Sequence, residues 1–188
     1  ESWKVAPGTL KGTVYYNSYN SKLAGSQSGA LLAIQPGAIA PTVAVPGTQT
    51  SCHVCHEVAS NGSTLYTQDQ TYQNGASYDL NNKGATIATY SGNAPDNTSN
   101  DRKFLWSGVY PDGTFALSNA RHAREHANIN SNIFSRTNGS AIASTGFTSA
   151  VTAAVTPAFS PDGKLVTFNF WEGPGANNVS QGSGHTLV

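Results

Sequence analysis

Four glycines, Gly12, Gly62, Gly113 and Gly163, recur at spacings of 50, 51 and 50 residues, and a short strand-like segment follows each. Those segments are Thr13-Val14-Tyr15-Tyr16-Asn17, Thr64-Leu65-Tyr66-Thr67, Thr114-Phe115-Ala116-Leu117-Ser118-Asn119 and Leu165-Val166-Thr167-Phe168-Asn169. Self-similarity at a fixed period of this size marks repeat architectures. Ahead of the last three segments stand Ser60-Asn61-Gly62, Pro111-Asp112-Gly113 and Pro161-Asp162-Gly163. Asn-Gly and Asp-Gly between apolar runs predict tight hairpins, with both central residues at positive φ.

Each unit then predicts a second strand pair. Unit 1 has Ala30-Leu31-Leu32-Ala33-Ile34, a turn at Gln35-Pro36-Gly37, and Pro41-Thr42-Val43-Ala44-Val45. Unit 2 has Ser77-Tyr78-Asp79-Leu80, a turn at 81–84 and a strand at 86–90, and unit 3 has Asn132-Ile133-Phe134-Ser135 followed by 141–144. Four strands per about 50 residues is the pattern of a β-propeller blade. The expectation is an all-β chain of propeller-like blades in one domain, with units at 1–50, 51–100, 101–150 and 151–188. The last unit is incomplete, its third strand only begun at His185-Thr186-Leu187-Val188. Such a chain reads as part of a larger propeller, completed by further copies, another chain or more of its own. Four-bladed closure on itself is the lesser alternative, and a sandwich with evenly spaced hairpins is the competing fold.

Pro161-Asp162-Gly163-Lys164-Leu165, preceded by Phe159-Ser160, resembles the repeat signature of the TolB-type, WD40-like bacterial propellers. Pro111-Asp112-Gly113-Thr114-Phe115 is a second copy and Ser60-Asn61-Gly62-Ser63-Thr64 a degenerate third. The motif is short and serves many unrelated functions, so the resemblance implies a fold rather than an activity.

Ten basic and ten acidic residues cancel. Without a basic field on a groove or face, a nucleic-acid partner is not expected. No apolar run approaches the 18 residues of a membrane span, and Glu1-Ser2-Trp3-Lys4 carries no signal-peptide core. Uncharged polar residues interleaved with aromatics suit short strands and many turns. They point to a processed chain that is secreted, periplasmic or on the cell surface.

The sharp chemical signal is Cys52-His53-Val54-Cys55-His56, which contains both cysteines of the chain. Cys-x-x-Cys-His is the attachment sequence of c-type haem. Two thiols at this spacing reach the two vinyl groups on one porphyrin edge, and the following histidine supplies the proximal iron ligand. The reading is one covalent haem c held by Cys52 and Cys55, with His56 on the iron. The alternatives are a local disulfide or redox pair, a zinc site completed by two histidines, or inert thiols. In secreted TolB-like propellers the resemblance implies a haem-attachment sequence just ahead of a blade hairpin, where Cys52 to His56 stand here.

Methionine is absent, so a sixth ligand from this chain is most plausibly histidine. His126, His122 and His185 are the candidates in that order, and Arg121 and Arg124 are candidate partners for the haem propionates. A filled sixth position favours electron transfer with a redox partner protein, whereas an open one returns enzyme chemistry. No Gly-x-Ser-x-Gly, His-Glu-x-x-His or phosphate-binding glycine loop points to a hydrolase.

Overall fold

The computed structural model of the chain describes residues 11–18, 29–45, 56–69, 74–90, 107–118, 131–143, 154–170 and 185–187. They form four small antiparallel sheets in chain order. The first contains β1 (Val14–Ser18), β2 (Ala30–Ile34) and β3 (Thr42–Val45). The second contains β4 (Glu57–Val58), β5 (Thr64–Asp69), β6 (Asn74–Asp79) and β7 (Ala85–Tyr90). The third contains β8 (Gly108–Val109), β9 (Phe115–Ser118) and β10 (Asn132–Ser135), to which Ala141 adds one bridge at Phe134. The fourth contains β11 (Ala154–Phe159), β12 (Val166–Phe170) and β13 (His185–Leu187). Every strand pairs with its sequence neighbour, so each sheet is a meander. The fold is therefore all-β and propeller-like. Of the strand read at 141–144, the described residues 141–143 show that single bridge, made by Ile142 N donating to Ile133 O and Ser135 N donating to Ser140 O.

The repeated hairpins form, but by a different turn from the one the dipeptides predict. Gly62, Gly113 and Gly163 donate their N–H groups back to Ala59 O, Tyr110 O and Ser160 O at 2.8, 2.8 and 2.9 Å, so each glycine is the fourth residue of its turn. Ala59 N to Thr64 O, Tyr110 N to Phe115 O and Ser160 N to Leu165 O close the hairpins around four-residue loops. Only the glycines are left-handed, with φ of 72°, 78° and 70°. Pro111 and Pro161 sit at the second turn position, which their fixed φ suits. Asn61, Asp112 and Asp162 sit at the third, each accepting the backbone N–H of the residue after the glycine at 2.9, 2.8 and 3.2 Å. At Asp162 the Ser160 hydroxyl, and then the Lys164 N–H, hold the carboxyl below its ordinary value.

Gly12 does not belong to this set. Its φ is not left-handed. The bulges at Leu31/Leu32 and Ser77/Tyr78 are equivalent, which sets Ala33 level with Asp79 and so Tyr15 level with Thr64. Thr13, one residue later, therefore occupies the place of Gly62.

The sheets stack face to face in chain order. Leu31 and Val45 of the first sheet pack with Leu65, Ala76 and Tyr78 of the second. Ala59 and Tyr66 of the second pack with Val109 and Ala116 of the third, and Leu117 of the third packs with Ala154 and Phe168 of the fourth. Alternation along β5 and β9 thus sends Leu65 and Ala116 to the preceding sheet, Tyr66 and Leu117 to the following one. Polar bonds keep neighbouring turns in step. Asn61 N donates to Pro111 O at 3.1 Å, Asn61 Nδ2 to Asp112 O at 3.0 Å, and Arg136 Nη1 to Thr64 Oγ1 at 2.9 Å. The hairpin turns therefore lie at one end of the stack.

Candidate functional site

His56 is the one residue of the attachment sequence among the described residues. It enters β4 at the end of the second sheet remote from the hairpin turns. Its ring reaches across to the first sheet, where alternation along β1 points Tyr15 and Asn17 toward the second. Nδ1 lies 3.0 Å from Asn17 Oδ1 and Nε2 lies 3.2 Å from the Tyr15 carbonyl. Burial pulls the His56 pKa below 6.5, outweighing the Tyr15 bond, which raises it. The half-buried imidazole is neutral at pH 7. We expect Asn17→Ala to cost about 1 kcal/mol of stability in urea unfolding, one part-buried hydrogen bond's worth.

A neutral ring offers two tautomers. With the proton on Nε2 it donates to Tyr15 and pins the two sheets together. With the proton on Nδ1 it donates to Asn17 and leaves the Nε2 lone pair as a metal ligand needs, oriented from behind in the way ligating histidines generally are. An iron at Nε2 would take the place of the Tyr15 contact, with Asn17 left against Nδ1.

Next along the chain, Glu57 turns its half-buried carboxyl toward the third sheet. Burial raises its pKa to about 7, partly offset by a hydrogen bond from the Val109 backbone. Composition and spacing gave no reason to single out Glu57 or Asn17. The signal for both was the inward phase of their strands, Asn17 two residues after Tyr15 and Glu57 opposite Tyr66.

Register brings further predicted positions to this same end. β9 ends at Ser118, opposite Asn132, so the chain leaves the third sheet at this end before 119–130, the segment that carries His122 and His126. His185 opens β13 opposite Phe170, at the far end of β12 from its hairpin turn. Cys52, Cys55, Arg121, His122, Arg124 and His126 lie outside the described residues. Among the described residues, no group of three or more His, Cys, Asp or Glu side chains is placed to hold a metal ion. None of their helices is long and apolar enough to cross a membrane.

Four stacked antiparallel meanders define a propeller-like scaffold, with His56 at the end of the second sheet remote from the hairpin turns. No protein-family model matches the chain, and no curated protein matches its sequence. Among solved structures it is similar to an oligogalacturonate lyase in complex with manganese, at 12% identity and a TM-score of 0.48, covering 84% of this chain and 42% of that one. It is also similar to the dihydro-heme d1 dehydrogenase NirN in complex with DHE, at 15% identity and a TM-score of 0.45, covering 94% and 34%. TolB from Acinetobacter baumannii matches at 12% identity and a TM-score of 0.40, covering 97% and 54%. The chain spans about a third to a half of the length of these structures. At such similarity, what those proteins bind or catalyse stays with them.

Proposed function

We propose that this chain is a c-type haem module on propeller-like blades, carrying electrons in a secreted, periplasmic or cell-surface setting. The observation that carries this reading is the Cys52-His53-Val54-Cys55-His56 sequence, which contains every thiol of the chain. In it, Cys52 and Cys55 hold the porphyrin through thioether bonds and His56 ligates the iron. The neutral His56 ring, with Asn17 against Nδ1, supports that role. His126 is the preferred sixth ligand, ahead of His122 and His185, and Arg121 and Arg124 pair with the propionates. The bound haem would supply a one-electron iron couple; the protein's part is to fix the ligands, screen the iron from water and present the edge to a redox partner protein.

A second reading is favoured by the contact of both His56 nitrogens with the first sheet. In it the domain is a binding or scaffolding propeller, His56 is an inter-sheet pin, and Cys52 and Cys55 form a disulfide or a zinc clip.

Production alongside a haem-maturation system separates the two. The haem reading expects a Soret band that survives acid–acetone extraction and is lost when Cys52 and Cys55 are replaced by serine. A colourless protein whose thiols titrate only after reduction, or that releases zinc on acidification, supports the second reading and ends the first.

A further inference from the structure

We propose that the connection between β2 and β3 is a membrane-docking tip that dips into the surface of a bilayer carrying anionic lipid. Docking of this kind needs no haem. The same connection occurs in three sheets, each time at the hairpin-turn end. Between β6 and β7 it runs Leu80-Asn81-Asn82-Lys83-Gly84, and after β10 it runs Arg136-Thr137-Asn138-Gly139-Ser140. Both are polar. In the first sheet it runs Gln35-Pro36-Gly37-Ala38-Ile39-Ala40-Pro41, with Val43 two residues beyond. Every residue from 35 to 43 is exposed, and Ile39 is completely so. Isoleucine is among the residues most often buried in folded proteins. No Asp, Glu, Lys or Arg stands anywhere between Lys22 and Glu57.

The loop is built to hold Ile39 outward. Ala38 N donates to Gln35 O at 3.0 Å and Gly37 has a φ of 77°, which makes 35–38 a Pro-Gly turn of type II. Pro36 and Pro41 fix two further backbone angles, so little conformational freedom is lost when the tip enters another phase. The same features suit a phase poor in water. Neither proline has an N–H, and that of Ala38 is already paired, so the tip carries few bare donors to be desolvated.

Charge decides which surface it meets. β1 begins at Val14, opposite Ile34 at the end of β2, so Lys11 comes in beside the tip. On the other side the turn that carries Lys83 lies against β3, where a Cβ on Gly84 would overlap Ala44 O. Both lysines are exposed. Among the described residues of the first two sheets, the carboxylate at this end is Asp79, which accepts Asn81 N at 2.9 Å, while Glu57 stands at the opposite end. An apolar tip between two lysines matches an anionic bilayer, with the apolar side chains in the headgroup region and the ammonium groups among the phosphates. Protein partners are generally gripped through aromatic or arginine anchors and directional hydrogen bonds. The tip has no aromatic, no arginine and one polar side chain, Gln35. Further blades would add along the stack, across the direction in which the tip projects, and would leave it uncovered.

Co-sedimentation of the full 188-residue chain with lipid vesicles tests the idea. Vesicles of equal parts phosphatidylcholine and phosphatidylglycerol are expected to bind it about tenfold or more tightly than phosphatidylcholine alone, with the difference lost at high salt. Ile39→Asp lowers that binding about tenfold or more, and Lys11→Ala and Lys83→Ala about fivefold each. All three side chains are exposed, so urea unfolding of the variants matches that of the parent chain and separates lost docking from a lost fold. No binding to either vesicle overturns the proposal. So does binding that Ile39→Asp leaves intact, or that phosphatidylcholine alone supports equally. A dimer in solution that Ile39→Asp dissolves overturns it too, because a second copy would then be what covers the tip.

Discussion

Gly113→Ala is expected to lower the unfolding free energy by about 2–4 kcal/mol, whereas Gly62→Ala costs about 1–2 kcal/mol. Both glycines occupy the same turn position at nearly the same φ, 78° and 72°. Both therefore carry the left-handed penalty that any L side chain meets there. The surroundings separate them. Nothing lies within 4 Å of a Cβ on Gly62, while one on Gly113 would meet Thr64 Oγ1 at 2.6 Å and Ser63 Oγ at 2.9 Å. Thr64 is fully buried and receives Arg136 Nη1, so it cannot swing aside without breaking that bond. The extra loss at Gly113 is the cost of opening the seam between the second and third sheets. Urea unfolding of the two variants side by side measures it, and equal losses would mean that the turns do not bear on one another.

Glu57→Gln is expected to stabilise the chain above pH 7 by about 3 kcal/mol and to change little below pH 4.5. The folded carboxyl has its pKa raised to about 7 from an ordinary 4.5, with burial as the larger cause. Below pH 4.5 the group is protonated both folded and unfolded, and its burial carries no charge penalty. As pH rises toward 7 the unfolded chain ionises first, so stability falls; above 7 the folded group is ionised too and the loss levels off. A glutamine keeps an oxygen to accept the Val109 N–H and carries no charge. His56 acts in the opposite sense, its lowered pKa removing stability as pH falls below 6.5, but it is common to both proteins and cancels in their difference. Urea unfolding from pH 4 to 8 reads the effect, and a difference that is flat with pH would place the Glu57 carboxylate in water.

The hairpins at 59–64, 110–115 and 160–165 were legible because their signals are local. Pro, Asp and Gly each prefer one backbone position, and alternation sets which side chains share a face. The strands Ala30–Ile34 and Asn132–Ser135 fall where their apolar runs predict them. The turn type was not legible, since Asp-Gly is compatible both with two left-handed residues and with a glycine closing a longer loop. The Pro before Asp112 and Asp162 was the clue. Gly12 misled because the spacing of identical residues does not register strands; the bulges in the first and second sheets do, and they shift its unit by one residue.

What the sequence alone determined is the repeat, the all-β class and the one attachment-type run of cysteines and histidine, because these depend on neighbours within a few residues. Only the tertiary structure decided that His56 leans on Asn17 and Tyr15 and that Glu57 is buried against the third sheet. Those facts are set by how one sheet packs on the next, between residues 39 to 52 positions apart in the chain, and no local preference encodes such a distance.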